Sequence, residues 1–324
     1  MRRTKKKSSL FDKFSNGVLL VLFLIITSWG IQVTNAATSS LKFAQISDVH
    51  FESNAQNNLY RLTKESPDLL EDAIQQVNLT PNVDFVMFSG DQINKPYEQE
   101  LIKFIRYANT LKYPWYVTLG NHDVCVGGYL TKNLYNQILN TKNKNFKFKK
   151  MYYSFIPKSG YKVIVLDSII DNRITANGII DEEQLTWLDK QLKSAKNDTV
   201  LIFMHVPVKE PFSSPNHSLI NSDEVYKVLK KYNNPIALFS GHYHTTKIIQ
   251  EGNLLFVSTP ALVSYPNSFR IVNVTNQKKK VIFDITFKET NLKDLQKKAK
   301  LMVFSSGLYY GEPEDRTFTY EIER

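Results

Sequence analysis

Trp115-Tyr116-Val117-Thr118-Leu119-Gly120-Asn121-His122-Asp123 sets the pattern for this chain of 324 residues. Its first five residues are aromatic, β-branched or aliphatic, the composition of a short buried strand. A glycine breaks the run, and three side chains able to bind a cation or carry a proton follow at once. A strand that ends on glycine can turn sharply and bring its backbone close to whatever the next residues hold. The same order recurs along the chain. Leu41–Ser47 leads into Asp48-Val49-His50, Asp84–Ser89 into Gly90-Asp91, Val200–Met204 into His205, and Ile236–Ser240 into Gly241-His242-Tyr243-His244. Five of the six histidines fall in these motifs, and only His217 lies outside them.

The segments between the motifs fix the fold class. Lys162–Leu166 is a further strand pattern, and helical patterns separate the strands. Pro67–Val77 begins after Ser66 with a proline at the first helical position. Glu98–Leu111 places Leu101, Ile105 and Ala108 on one face. Asp181–Ser194 opens on a capping aspartate, and Ser222–Lys231 carries Val225, Val228 and Leu229 at helical spacing. This alternation predicts an α/β layered domain. After Gly241 the pattern turns strand-rich, with Leu254–Ser258, Phe269–Val274 and Val281–Phe287. Asn276–Lys280 is expected to join the last two as a hairpin, followed by a helix over Asn291–Met302 and a strand over Thr317–Ile322. Without a linker or repeat, residues 40–324 read as one domain. Ligands of open α/β sheets bind beyond the carboxyl ends of strands, so the five motifs are expected to meet in one cleft.

The first 36 residues form a separate signal. Arg2, Arg3, Lys5, Lys6, Lys7 and Lys13 precede or flank an uncharged stretch from Phe14 to Leu41, and small residues follow at Thr34, Ala36 and Ala37. A basic region, an apolar core and a small-residue site describe an export signal. The uncharged stretch is also long enough to remain as an N-terminal membrane anchor. The remainder is then exported, with membrane association through this segment. Those 36 residues also carry much of the net charge of +10, leaving 35 basic and 30 acidic residues beyond them. That balance, with 42% hydrophobic and 22% charged residues, fits an ordinary globular domain and gives no strong nucleic-acid signal. The one cysteine, Cys125, excludes an intramolecular disulfide and reads as a small hydrophobe rather than a ligand.

Aspartate, asparagine and histidine without thiolate form a mixed oxygen and nitrogen donor set suited to iron, manganese, zinc or nickel. The ordered set resembles the calcineurin-like metallophosphoesterase family, whose pattern is Asp-x-His, Gly-Asp, Gly-Asn-His-Asp/Glu, His and Gly-His-x-His. All five parts occur here over residues 48–244. The resemblance implies a four-layer α-β-β-α sandwich with two mixed sheets and two metal ions at the strand ends. Asp48, His50 and His244 would hold the first metal, and Asn121, His205 and His242 the second. Asp91 would bridge them. It further implies hydrolysis of a small phosphodiester or phosphomonoester substrate by a hydroxide held between the ions. His122 would then be the catalytic proton donor or charge stabiliser, with Asp123 fixing its orientation.

Departures narrow the branch. Purple acid phosphatases carry a tyrosine ligand three residues after the Gly-Asp aspartate, where this chain has Asn94. Asp-Val-His, Gly-His-Tyr-His and the stretch Thr259–Phe269 are closer to the bacterial-type, class III cyclic nucleotide phosphodiesterases. The competing readings are a catalytically inactive ligand-binding or partner-binding member, which the complete donor set disfavours, and a nucleic-acid-processing phosphoesterase, which the modest charge disfavours. The lysine-rich Thr141–Lys150 reads as a solvated loop, Lys209–Asn221 as a loop placed to shape a pocket, and His217 as a surface residue.

Overall fold

Strand ends aimed at one cleft require strands that start and stop in register, and the ladders of the computed structural model supply this. It describes residues 39–124 and 129–324. In the first sheet β1 (Ser39–Ile46), β2 (Phe85–Ser89) and β3 (Trp115–Thr118) run parallel, with Ile46 opposite Phe88 and Ser89 opposite Thr118. β10 (Ser268–Asn276), β11 (Lys280–Glu289) and β12 (Phe318–Glu323) extend this sheet antiparallel beyond β1. The expected hairpin across Asn276–Lys280 is present. In the second sheet β5 (Tyr161–Val165), β6 (Thr199–Phe203), β7 (Ile236–Ser240) and β9 (Leu254–Ser258) are parallel. β4 (Tyr153–Lys158) and β8 (Lys247–Glu251) form its antiparallel edges.

The motif-bearing strands are thus divided between two mixed six-stranded sheets, three in one and two in the other. What joins them is an aromatic layer between the sheets. Phe43 stacks on Phe85 at 5.2 Å and meets Phe203 and Phe239 edge-on at 5.4 and 5.1 Å. Polar side chains also link the two sheets, Tyr153 and Tyr161 by donating to Val117 O and Val274 O. Gln45, fully buried, donates to Ser89 Oγ at 2.9 Å and accepts from Thr259 Oγ1 at 2.6 Å. A buried amide needs such partners, because each missing one costs about 1–3 kcal/mol.

Helices cover the outer faces. α1 (Ser66–Leu79) buries Leu69, Leu70, Ala73, Ile74 and Val77, a helical stripe begun by Pro67 in its first turn. α2 (Glu98–Ala108) sets Phe104 edge-on to Phe88 at 5.0 Å. α3 (Lys132–Lys142) is capped by Thr131, whose hydroxyl accepts from Leu134 N. On the second sheet, α4 (Glu182–Ser194) is capped by Asp181 as expected, and its Gln191 accepts from Ser154 of β4. α5 (Ser222–Leu229) stacks Tyr226 on Phe256 of β9. A C-terminal group, α6 (Lys293–Met302), α7 (Ser306–Tyr310) and α8 (Pro313–Arg316), precedes β12.

Among the described residues no helix is long and apolar enough to cross a membrane. The expected export signal or anchor, residues 1–36, and Cys125 lie outside the described residues.

Candidate metal centre

The motif residues follow strands that end level, and the backbone there is forced into an unusual shape. Asp48, His50, Asp91, His242 and His244 all have positive φ, between 44° and 71°. For a residue with a side chain this left-handed region costs about 1–2 kcal/mol, so five cases at one place mark strain that the surrounding structure must hold. The holding contacts run between motifs. Asp48 N donates to Gly90 O at 3.1 Å, His50 N to Asp91 O at 2.9 Å, His122 N to Asp91 Oδ1 at 2.8 Å, and His242 N to Asp48 Oδ2 at 3.1 Å. Gly90, with φ +94°, lies so close to the His205 ring that an added Cβ would sit 2.1 Å from Nδ1. Only glycine permits that approach.

The side chains converge. One ligand atom each from Asp48, His50, Asp91 and His244 lies within 4.8 Å of the other three. Asp48 Oδ1 is 3.2 Å from His244 Nε2, and Asp91 Oδ2 is 3.4 Å from His50 Nε2 and 3.4 Å from His205 Nε2. The His242 ring centroid lies 5.0 Å from that of His205. Asn121 Oδ1 and His242 Nε2 are buried without a hydrogen-bond partner, and His205 Nε2 faces the carboxylates of Asp91 and Asp48 at 3.4 and 3.9 Å. Burying polar atoms unpaired is costly, and all three belong to the residues expected to hold the second metal. The far nitrogens are tied down: His205 Nδ1 by Ser89 O at 2.9 Å and His244 Nδ1 by Ser264 Oγ at 3.1 Å. Those contacts aim Nε2 inward, the arrangement by which ligand histidines are oriented for a metal.

Residues 41–246 match the family model described as calcineurin-like phosphoesterase. The chain belongs to that family. Among its relatives it is 27% identical, over 68% of this chain and 77% of the other, to the glycerophosphodiester phosphodiesterase GpdQ of Enterobacter lignolyticus. It is 24% identical to a 3',5'-cyclic-nucleotide phosphodiesterase of Nostoc sp., over 68% of this chain and 78% of that one. It is 25% identical to the manganese-dependent ADP-ribose/CDP-alcohol diphosphatase of Arabidopsis thaliana, over 62% and 79%. A solved dimetal phosphatase from Danio rerio shares the fold with a TM-score of 0.61 at 18% identity, over 78% of this chain and 99% of that one. The two bacterial phosphodiesterases among them are consistent with the bacterial-type branch expected from the motifs.

The electrostatics of this phosphoesterase site suit cations. Burial alone raises the carboxyl of Asp91, but His205, His122 and His50 outweigh it and hold the group well below its ordinary value. Asp48 is likewise lowered, its burial outweighed by His244 and His205. Burial, helped by the Arg61 guanidinium, pushes His50 well down, and burial with His205 pushes His242 to about 3. His205 moves the other way, to about 9, because Asp91 and Asp48 overcome its burial. Without metal the centre therefore holds ionised carboxylates, neutral imidazoles at His50 and His242, and a proton on His205.

The two residues expected to act in catalysis part company. His122 faces the centre: its Nδ1 lies 2.9 Å from Asn94 O, and its ring is edge-on to His50 at 4.6 Å. Asp123 does not orient it. Both carboxylate oxygens of Asp123 are taken by backbone, accepting from Gly120 N at 2.8 Å and Ile93 N at 3.0 Å. The turn in which Asp123 N donates to Gly120 O sends the two neighbouring side chains in different directions, and the Asn94 carbonyl takes the place expected for Asp123. The Asn94 side chain donates to Glu52 Oε2 at 2.6 Å, with its Oδ1 3.5 Å from Arg61 Nη1.

His217 is exposed, yet it stands beside the centre, its ring 5.5 Å from that of His242 and its Nδ1 2.9 Å from Ser214 Oγ. Its loop also carries Phe212, edge-on to Tyr243 at 5.0 Å, so Lys209–Asn221 does border the site. Sequence reasoning missed Arg61, whose Nη1 lies 3.3 Å from His50 Nδ1 and from His122 Nε2. The available signal was slight: Arg61 is the only lysine or arginine between His50 and Lys64.

Proposed function

We propose that this metal-dependent phosphoester hydrolase binds two metal ions through the seven motif residues and cleaves small phosphodiesters or phosphomonoesters. The observation that carries the reading is the convergence of Asp48, His50, Asp91, His205 and His244, with His242 beside His205 and buried polar atoms of Asn121 and His242 left unpaired. Asp48, His50 and His244 would hold one ion and Asn121, His205 and His242 the other, with Asp91 between them. Bound metal would supply an attacking hydroxide at neutral pH and screen the charge that builds on the phosphoryl group.

The chain's own residues do the rest. Asp48 and Asp91 bring the negative charge that draws the ions in, and Asn121 adds an oxygen without adding charge. His122 presents Nε2 while the Asn94 carbonyl holds Nδ1, a geometry suited to passing a proton to the leaving oxygen. The relatives' names point to glycerophosphodiesters, cyclic nucleotides and ADP-ribose as the first compounds to test, and to manganese as the first metal.

The test is hydrolysis by protein stripped with chelator and reloaded with manganese, iron, zinc or nickel. Release of nitrophenolate from bis-(p-nitrophenyl) phosphate or p-nitrophenyl phosphate is expected; inertness toward both with every metal refutes the reading. Export is proposed from the basic and apolar N-terminal stretch of the sequence. A fusion of residues 1–40 to a reporter active only outside the cytoplasm should be active, and an inactive fusion refutes it.

A further inference from the structure

Arg61 puts a fixed positive charge beside side chains expected to hold metal. Its backbone is pinned to the centre. Asn58 and Arg61 exchange backbone hydrogen bonds, Leu62 N donates to Val263 O at 2.8 Å, and Arg61 bridges to Ser264, whose hydroxyl holds His244. Its guanidinium meets ring nitrogens, an amide oxygen and a hydroxyl. Besides His50 and His122, it has Asn94 Oδ1 at 3.5 Å and Tyr60 OH at 3.2 Å, with its carbon 5.3 Å from the Tyr60 ring centroid. Among the described residues no carboxylate forms an ion pair with it. The Tyr60 ring itself lies 5.6 Å from the His244 ring, so the whole turn overhangs the metal-binding side chains.

Metal binding sharpens the difficulty. A histidine that binds metal through Nε2 keeps its proton on Nδ1, so His50 would stop accepting from Arg61 just as positive charge arrives nearby. A guanidinium that loses an acceptor beside a cationic centre is stabilised by an oxyanion, for which its planar fork of donors is suited.

We propose that Arg61 is a substrate-binding residue that donates to a phosphoryl oxygen of the ester and, after cleavage, of the phosphate product. This rests on the dimetal reading of the site. The probe is inorganic phosphate, titrated calorimetrically into manganese-loaded wild-type protein and the Arg61→Met and Arg61→Lys variants, with bound manganese counted in each. Expected is an unchanged manganese content, phosphate affinity about 10–100-fold weaker in Arg61→Met, and partial recovery in Arg61→Lys, whose ammonium keeps the charge but loses the fork. KM for p-nitrophenyl phosphate should rise in parallel. Wild-type phosphate affinity in Arg61→Met overturns the proposal. So does loss of manganese from that variant, which would make Arg61 a support for His50 instead. Failure of the wild-type chain to take up manganese overturns the dimetal reading and this proposal with it, and is distinguished by the metal count.

Discussion

Gly90→Ala tests whether the glycine turns build the metal centre. The perturbation is one methyl group, but Gly90 has φ +94° and its new Cβ would lie 2.1, 2.4 and 2.7 Å from Nδ1, Cγ and Cβ of His205. The last of these is the root of the side chain, so the ring cannot swing clear without moving the segment after β6. Left-handed strain and overpacking together give a destabilisation of about 2–5 kcal/mol, a large part of the roughly 5–15 kcal/mol of a typical domain. With a urea m-value of about 2–3 kcal/mol/M, the unfolding midpoint falls by about 1–2 M. Urea titration followed by circular dichroism reads the stability, and mass spectrometric metal counting reads the site. Because the methyl pushes on a residue expected to hold the second ion, the variant should also lose one of its two metals. An unchanged midpoint with both metals retained would refute the reasoning.

Three further outcomes follow from the same geometry. His122→Ala should keep both metals while kcat falls about 10²–10⁴-fold, less for nitrophenyl esters, whose leaving group needs little protonation; loss of metal would show His122 to be a ligand. Metal affinity should rise with pH, because His205 holds a proton up to about 9 under Asp91 and Asp48 and must release it to bind. Calorimetry in buffers of different ionisation enthalpy should detect proton release at pH 7, and proton-free binding there would contradict this ordering of charges. Asp123→Asn should cost about 1–2 kcal/mol of stability, since an amide replaces only one of the two acceptors at Gly120 N and Ile93 N. It should leave kcat far less affected than His122→Ala does, and an equal loss with both metals retained would restore Asp123 as a partner of His122.

The parts of this molecule that were legible in the sequence share one physical trait: local patterns decided them. Apolar runs ending in glycine marked β2, β3 and β7, and capping chemistry marked α4. Helix α3 was missed because Asn133, Asn136 and Asn140 are weak helix formers and its buried face includes Asn136 beside Tyr135, Ile138 and Leu139. Strand β4 contains Pro157 and an exposed Ile156, and β8 reads Lys-Ile-Ile-Gln-Glu; each is an edge strand with one solvated side. Spacing does not reveal which sheet a strand joins, so the division of the motifs between two sheets emerged only from the ladders. The same holds within the site. Asp123 follows His122 in sequence, but a turn separates their side chains, whereas Asn94 and Arg61 reach His122 from turns 28 and 61 residues away.

The central claim is that these turns assemble a place for two ions. An anomalous difference map from crystals of the manganese-loaded protein tests it most directly. Two peaks about 3.5–4 Å apart are predicted, one against Asp48, His50 and His244, the other against Asn121, His205 and His242, with Asp91 touching both. A single peak, or peaks away from these residues, would contradict the account.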